Sequence, residues 1–486
     1  MRVRPILVRP ILAVLAAAIA LAAATSAGAQ TPTPMPGYPP QPDYVTDSCF
    51  WGSPLNFHVP EQNVAGPDTL AIYWYVKYQL PPHATITLNG DFPHGRYMSF
   101  TTYKTVDGEP GVENTFITDT SIAPDAGSQN PFRGGVSRDV EPRAFTLTLS
   151  SEPPPPAGEE APNTLYTGVE GMTDEVQTVE LVERIYVPDH YPEDLAGGVP
   201  PPAPTMVRED GTSIDGQAMC NELGVINGTA NIPAGGMPDN LYLRLRDAGP
   251  PEHPATVPLV WDKYFNTQRL LVPLLRDTPL APLIPTLNTE TVKGFYANPG
   301  NSYVFTYGDR RLGPDPDGHN VLVLKAKMPT HPITWNGNLF ADNASADVRY
   351  WSLCNYGSSA VSVNAPANTD CLFDEQVPTD ADGNFTIVIS LAADRPETAT
   401  EECGVAWMDW TLKGDHLGDP FLNFFMLRNM LSNPDFTNSI QAIAEPGQEQ
   451  EVMGPYYPEG TYMTPLEFDI RNGCGPGVDP SGAVAG

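Results

Sequence analysis

Four arginines lie in short runs that are otherwise apolar or aromatic: Arg96 in RYMSFTTY, Arg184 in VELVERIYVPD, Arg349 in RYWSLCNY and Arg428 in NFFMLRNMLSNPD. In a β-strand alternate residues share a face. Arg96 therefore lies beside Met98 and Phe100, Arg349 beside Trp351 and Leu353, Arg184 beside Val182 and Tyr186, and Arg428 beside Phe424, Met426 and Met430. A guanidinium on such a face has to be paired or border a cavity, because an unpaired buried charge costs several kcal/mol. Two cationic walls, Arg96 with Arg184 and Arg349 with Arg428, would hold a carboxylate or similar anion through bidentate hydrogen bonds. The structural alternative has each arginine snorkelling at a sheet edge or meeting an internal acid such as Asp409.

Other chemistry-bearing patterns are weaker. Asp380 to Asn384 (DADGN) and Asp315 to Gly318 (DPDG) offer oxygen ligands on tight turns, as calcium sites do, but neither completes an EF-hand and Asp-Gly is a common hairpin turn. There is no G-x-S-x-G elbow, no HExxH and no Cys/His zinc spacing, and the eight histidines are scattered. No metal or cofactor is expected. Carboxylate pairs for glycoside hydrolysis meet only in three dimensions, so a hydrolase acting on an extracellular glycan or ester remains an alternative. Tyr73-Trp74-Tyr75 and Trp407 to Trp410 can stack on sugars, although in strands such residues more often fill the core.

The elements that position these groups are read from a repeat. RYMSFTTY, FTLTLSS (from Phe145), NTLYTG (from Asn163) and VELVERIY recur in the same order as RYWSLCNY, FTIVISL (from Phe385), GVAWMDW (from Gly404) and NFFMLRNM, with separations of 88 residues from Arg96 to Arg184 and 79 from Arg349 to Arg428. A repeat of this length predicts two copies of one unit. Strands are expected over 69–80, 84–89, 96–103, 143–149 and 176–187 in the first, and over 302–307, 321–328, 348–356, 384–391 and 422–430 in the second. Residues 261–277 have helical apolar spacing before Pro273, and 434–445 read as a short closing helix. With 55 Pro and 42 Gly the chain is too rich in helix breakers to be helical. The expected fold is all-β: two tandem, related antiparallel sandwich or jelly-roll-like domains with a few short helices, over 45–248 and 249–478. A Pro-rich tail (30–44) precedes them and a flexible tail (479–486) follows.

The first 29 residues read as a secretory signal peptide: Arg2, Arg4 and Arg9, an Ala/Leu core, then Ala27-Gly28-Ala29 before a cut at Gln30. No later run is long and apolar enough for a transmembrane segment. The protein is expected to be secreted, extracellular or periplasmic. Its 26 basic residues, three of them in the signal region, face 58 acidic ones, for a net charge of −32. Such a surface repels nucleic acid. Six cysteines suit an oxidising compartment, and the expected disulfides are Cys49 with Cys220, Cys354 with Cys371 and Cys403 with Cys474.

Arg349-Tyr350, Asp382-Gly383, Trp407 and Arg428, in that order, resemble uncharacterised secreted bacterial proteins of actinobacterial type and, more distantly, the paired domains of unknown function numbered 1254 and 1214. Gly66 to Val76 and Asn298 to Tyr307 are similar to the N-terminal member of that pair. Met408-Asp409 departs from it, standing where the family has Leu-Pro. The resemblance implies β-sandwich architecture and brings no activity with it. The residues themselves point to binding of a small anionic or carbohydrate-like ligand, with a hydrolase or a structural envelope protein as the alternatives.

Overall fold

The computed structural model describes residues 48–474 except 56–65, 107–108, 169–170, 172–173, 192, 229–236, 291–292, 336–344 and 361–369. The expected signal peptide, Pro-rich tail and C-terminal tail lie outside the described residues. Ten strands come from the first part of the chain: β1 (Ala71–Leu80), β2 (Thr85–Asp91), β3 (Tyr97–Val106), β4 (Glu109–Thr118), β5 (Ala144–Ser150), β6 (Thr164–Tyr166), β7 (Gln177–Tyr186), β8 (Ala203–Val207), β9 (Ser213–Ile214) and β10 (Ile226–Asn227). They form two sheets, ordered β10-β1-β7-β3-β4 and β6-β5-β2-β8-β9. Nine follow: β11 (Asp262–Lys263), β12 (Asn301–Asp309), β13 (Val321–Lys327), β14 (Tyr350–Asn355), β15 (Asp370–Phe373), β16 (Asn384–Ser390), β17 (Ala406–Asp409), β18 (Leu422–Met430) and β19 (Glu459–Met463). Their sheets are β11-β12-β18-β14-β15 and β17-β16-β13-β19. The molecule is mostly β and sandwich-like, with few and short helices.

The order β1-β7-β3-β4 recurs as β12-β18-β14-β15, and β6-β5-β2-β8 as β17-β16-β13-β19. The β5/β6 and β16/β17 pairs are parallel in both copies, and every other pair is antiparallel. Register repeats as well. Arg184 lies opposite Tyr73 and Ser99, while Arg428 lies opposite Tyr303 and Ser352. The Arg96 N–H donates to Tyr186 O and the Arg349 N–H to Met430 O, each at 2.9 Å.

The outer sheets show the alternation of a sheet with one wet face. Phe145, Leu147 and Leu149 of β5 are buried and the threonines between them are not. The central sheets are covered on both faces, so β12 is buried at every position and β7 at all but one. One face of β7 (Leu181, Ile185) joins Ile86, Leu88 and Leu147 in the first core, and one face of β18 (Phe425, Leu427) joins Leu322, Ile387 and Ile389 in the second. Their other faces turn toward each other, and that is where the arginines are.

The helical expectations need correction. Within 261–277, Asp262 and Lys263 are edge strand β11, followed by a 3-10 turn at Thr267–Leu271 and one helical turn at Val272–Leu275. Trp261 holds the edge conformation by donating its indole N–H to Pro458 O (2.9 Å) and its backbone N–H to Tyr457 Oη (3.0 Å). Pro273 opens the helical turn instead of ending it, since a proline in the first turn forfeits no hydrogen bond. Within 434–445 only Ile440–Ala442 is helical, as a 3-10 turn. Residues Asp239–Arg246 form a helix with Asp239 in its first turn and Arg244 and Arg246 in its last, charges that favour the helix dipole. Disulfides join Cys49 to Cys220, Cys354 to Cys371 and Cys403 to Cys474, the pairing read from the sequence, and no cysteine is free. Such bonds belong to an oxidising, extracellular-type environment. Among the described residues no helix is long and apolar enough to cross a membrane.

One of the core positions at which the two copies differ changes the pH dependence of stability. Glu183 of β7 is 2% exposed, while Leu427 stands at the matching place on β18. Glu183 Oε2 has no hydrogen-bond partner, and burial pushes its carboxyl from the ordinary 4.5 up to about 8. A carboxyl with a raised folded-state pKa stabilises the fold below its unfolded pKa and loses that contribution as pH rises through the folded value. Between about pH 4.5 and 8 the protein should lose stability, by at most about 1.4 kcal/mol per pH unit from this group. In Glu183→Gln, urea unfolding across that range should show a flatter dependence. An unchanged slope would mean that Glu183 ionises freely.

Candidate functional site

Two short 3-10 turns follow equivalent strands, Asp119–Ser121 after β4 and Asp374–Gln376 after β15, and each begins with a fully buried aspartate. Asp119 Oδ2 accepts the Met98 N–H at 3.0 Å and Asp374 Oδ2 the Trp351 N–H at 2.9 Å, so each turn is tied to its own unit. Their ion pairs cross over. Arg96 of the first unit donates to Asp374 of the second at 2.6 and 2.8 Å, and Arg349 of the second donates to Asp119 of the first at 3.2 Å. Arg96 also bonds Glu375 and Thr334, and its guanidinium sits 5.7 Å from the Tyr350 ring and 5.6 Å from that of Phe373. Burial holds the Asp119 carboxyl above its ordinary range while Arg349 pulls it back down.

The other two arginines cross in the same way. Arg184 Nη2 donates to Tyr103 Oη (2.7 Å) and to the carbonyl of Tyr296 (2.8 Å), and its Nη1 donates to Thr101 Oγ1 (3.2 Å). Arg428 donates to the Tyr356 hydroxyl, to the carbonyl of Gly66 (2.9 Å), to Ser352 Oγ (3.4 Å) and to Cys354 Sγ (2.7 Å). Gly66 precedes β1 and Tyr296 precedes β12, so each unit's leading segment covers the other unit's arginine. Each guanidinium also faces two rings: Arg184 lies over Tyr73 and Tyr103, Arg428 over Tyr303 and Tyr356, all at 5.5–5.7 Å.

Between these crossings lies a cavity of about 90 Å³ with mostly apolar walls. Arg184 and Arg428 both line it, with seven tyrosines (Tyr73, Tyr75, Tyr186, Tyr264, Tyr296, Tyr303 and Tyr356), Phe295, Phe424, Met426, Asn298 and Ser358. Burial keeps the hydroxyls of Tyr73, Tyr75, Tyr296, Tyr303 and Tyr356 protonated, above their ordinary range. No Asp or Glu is among the described lining residues. Arg428 has Asp68 Oδ2 at 3.4 Å, but Arg184 makes no ion pair among the described residues, and its Nε has no hydrogen-bond partner. Glu113, an exposed residue of β4, has its carboxyl held up by desolvation and pulled down by Lys293 and then Arg184, at more than ion-pair distance. Lys293 is a third interior cation, 6.0 Å from the Tyr303 ring, donating to Asn301 O at 2.6 Å with its ammonium pKa pushed down to about 8 by burial. A chain with a net charge of −32 thus concentrates positive charge around this cavity.

The four arginines of the sequence reading are therefore sorted differently from the expected pairs. Arg184 and Arg428 meet at one cavity between the units. Arg96 and Arg349 do not line it, because carboxylates of the opposite unit neutralise them. The Asp-Gly loops are turns: Asp380 Oδ1 accepts the N–H groups of Asp382 and Asn384, and Asp315 Oδ1 accepts that of Asp317. Asp68, Cys354 and Cys371 place one oxygen and two sulfurs close together, but the sulfurs are a disulfide and offer no thiolate to a metal. A second cleft of about 390 Å³ is lined by Arg246, Arg311, His253 and Phe421. Its arginines are already paired, Arg246 with Asp415 and Asp247, and Arg311 with Asp309 and Asp419. Sequence reasoning missed the tyrosine lining contributed by both sheets and the roles of Asp68 and Asn298. A polar residue just ahead of each unit's first long strand was the only signal.

No family model matches the chain, and no curated protein matches it. Among solved structures it is similar to an uncharacterised protein from Burkholderia cenocepacia, at 14% identity and a TM-score of 0.43, over 84% of this chain and 80% of that one. It is also similar to the VPA0106 protein from Vibrio parahaemolyticus, at 15% identity and a TM-score of 0.35, over 85% and 91% of the two chains.

The two classes of arginine should respond differently to removal. Arg96→Met strands Asp374 and Glu375 in the interior and should cost about 3–5 kcal/mol. Arg184→Met strands no carboxylate and leaves only Thr101, Tyr103 and Tyr296 O short of a donor, for about 1–3 kcal/mol. Urea unfolding of the two variants measures the difference, and equal losses would contradict the distinction.

Proposed function

We propose that the protein binds a small organic anion in the cavity between its two units, as an exported binding protein and not a catalyst. The observation that carries this reading is Arg184: a buried guanidinium on a cavity wall, without a carboxylate partner among the described residues and with an unused Nε–H. An anion entering the cavity would complete its charge and its hydrogen bonds. The aromatic walls fit an apolar or aromatic body on that anion. One water needs roughly 10–15 Å³ of such space, so the cavity suits a group of about six to nine heavy atoms.

The hydrolase reading has less support, since glycosidase chemistry needs two carboxylates at the site and none of the described lining residues is acidic. A carbohydrate-like ligand would need polar partners that these walls supply sparsely. Export is part of the proposal: the signal-like first 29 residues and the three disulfides both fit it.

Isothermal titration against a panel of small aliphatic and aromatic carboxylates, with uncharged amides of the same shape as controls, tests the reading. At least one carboxylate should bind and its amide should not. At a concentration 100 times its Kd it should stabilise the fold by about 2.7 kcal/mol. Arg184→Met should weaken binding at least tenfold while remaining folded. A panel without a binder, or equal binding of acid and amide, would sink the proposal.

A further inference from the structure

We infer that the cavity takes a single monoanionic group, held by Arg184 and Asn298, and that Asp68 is a built-in occupant of the equivalent place beside Arg428. This rests on the binding reading above and adds where the charge sits and how many charges the cavity accepts.

Asp68 and Asn298 occupy the same place in the two copies. The Asp68 N–H donates to Tyr73 Oη at 3.1 Å and the Asn298 N–H to Tyr303 Oη at 3.2 Å. The Oδ1 of each accepts the N–H two residues on, from Leu70 at 3.0 Å and from Gly300 at 2.9 Å. Each Oδ1 also meets a tyrosine of the opposite unit, Tyr350 at 2.9 Å and Tyr97 at 3.4 Å. The copies part at the second terminal atom. Asp68 Oδ2 accepts the Ser352 hydroxyl at 2.6 Å and faces Arg428 at 3.4 Å. In the other copy that atom is the amide Nδ2, which can only donate. The Gly300 N–H requires an oxygen opposite it, so the amide cannot be turned around.

The exchange of a carboxylate oxygen for an amide nitrogen has visible effects. Asn298 Nδ2 has no hydrogen-bond partner. Arg184 Nε is likewise unused. Asn298 and Arg184 are each 2% exposed and both line the cavity. One half of the site is therefore internally neutralised, and the other offers unpaired donors and an uncompensated cation. An ionised carboxylate, which only accepts, fits that half. A second carboxylate on the same ligand would find no free cation, since Arg428 already faces Asp68, whose charge repels it.

Benzoate serves as the monoanionic probe and mesaconate, a planar dianion with the same number of heavy atoms, as the dianionic one, with titration calorimetry and thermal unfolding of the full exported chain, Asn298→Asp and Asp68→Asn. The wild type should bind one benzoate and take mesaconate at least tenfold more weakly. Asn298→Asp should fold, because Tyr97 and Ser99 stand where Tyr350 and Ser352 hold Asp68. It should melt higher than the wild type without ligand and bind benzoate at least tenfold more weakly. Asp68→Asn should lose the discrimination and bind the dianion about as tightly as benzoate, and if it is too unstable to titrate, Asn298→Asp decides alone. Wild-type benzoate affinity retained in Asn298→Asp overturns this inference and leaves the binding reading standing. Absence of any response to either probe in all three proteins overturns both.

Discussion

Everything at the centre of this molecule depends on crossed pairing between two similar units. Arg96 is neutralised by Asp374 and Arg349 by Asp119, and each pair spans the boundary between the sheets. Arg428 and Arg184 are covered by the leading segments of the opposite copy. Charges this deep are tolerated only with partners in place, so docking of the two central sheets and burial of the arginines are one event. The aromatic faces of β1, β7, β12 and β18 are thereby held opposite one another with space left between them, and that space is the cavity.

The layout accounts for the division of labour among residues that look alike in sequence. An arginine at the entrance to a strand, as Arg96 and Arg349 are, lies near the short turn that follows the other unit's edge strand and finds a carboxylate there. An arginine in mid-strand, as Arg184 and Arg428 are, points into the middle of the boundary, where hydroxyls, carbonyls and rings surround it. The same guanidinium serves as a fastening in one place and as part of a cavity wall in the other. Position along the strand decides which.

Much of this was legible in the sequence, and the part that was not has a common cause. Period-two alternation placed Val182, Arg184 and Tyr186 on one face and Phe424, Met426 and Arg428 on another, and both sets line the cavity. The recurring blocks gave the strands that repeat between the units, and loop position gave the disulfides. Alternation says which residues share a face, however, and not what that face meets. Arg428 finds its carbonyl partner 362 residues away at Gly66, and Arg96 its carboxylate 278 residues away. No local rule carries such pairings. The Leu241 to Arg246 run has the alternation of a strand yet is helical, with Tyr242 and Arg246 both bonded to Asp415.

The difference between Asp68 and Asn298 has a consequence for how a site of this kind can arise. Were the same unit encoded once and paired with itself, its isologous interface would carry the same residue at both places. Two aspartates would fill the central space with negative charge, and two asparagines would leave two buried arginines without counter-ions. A chain in which both copies are covalently joined can keep one of each. Fusion in tandem thus frees the halves to drift apart, one keeping the carboxylate beside its arginine and the other presenting an amide there. The loss of symmetry, more than the repeat itself, is what gives this interior a single polarity.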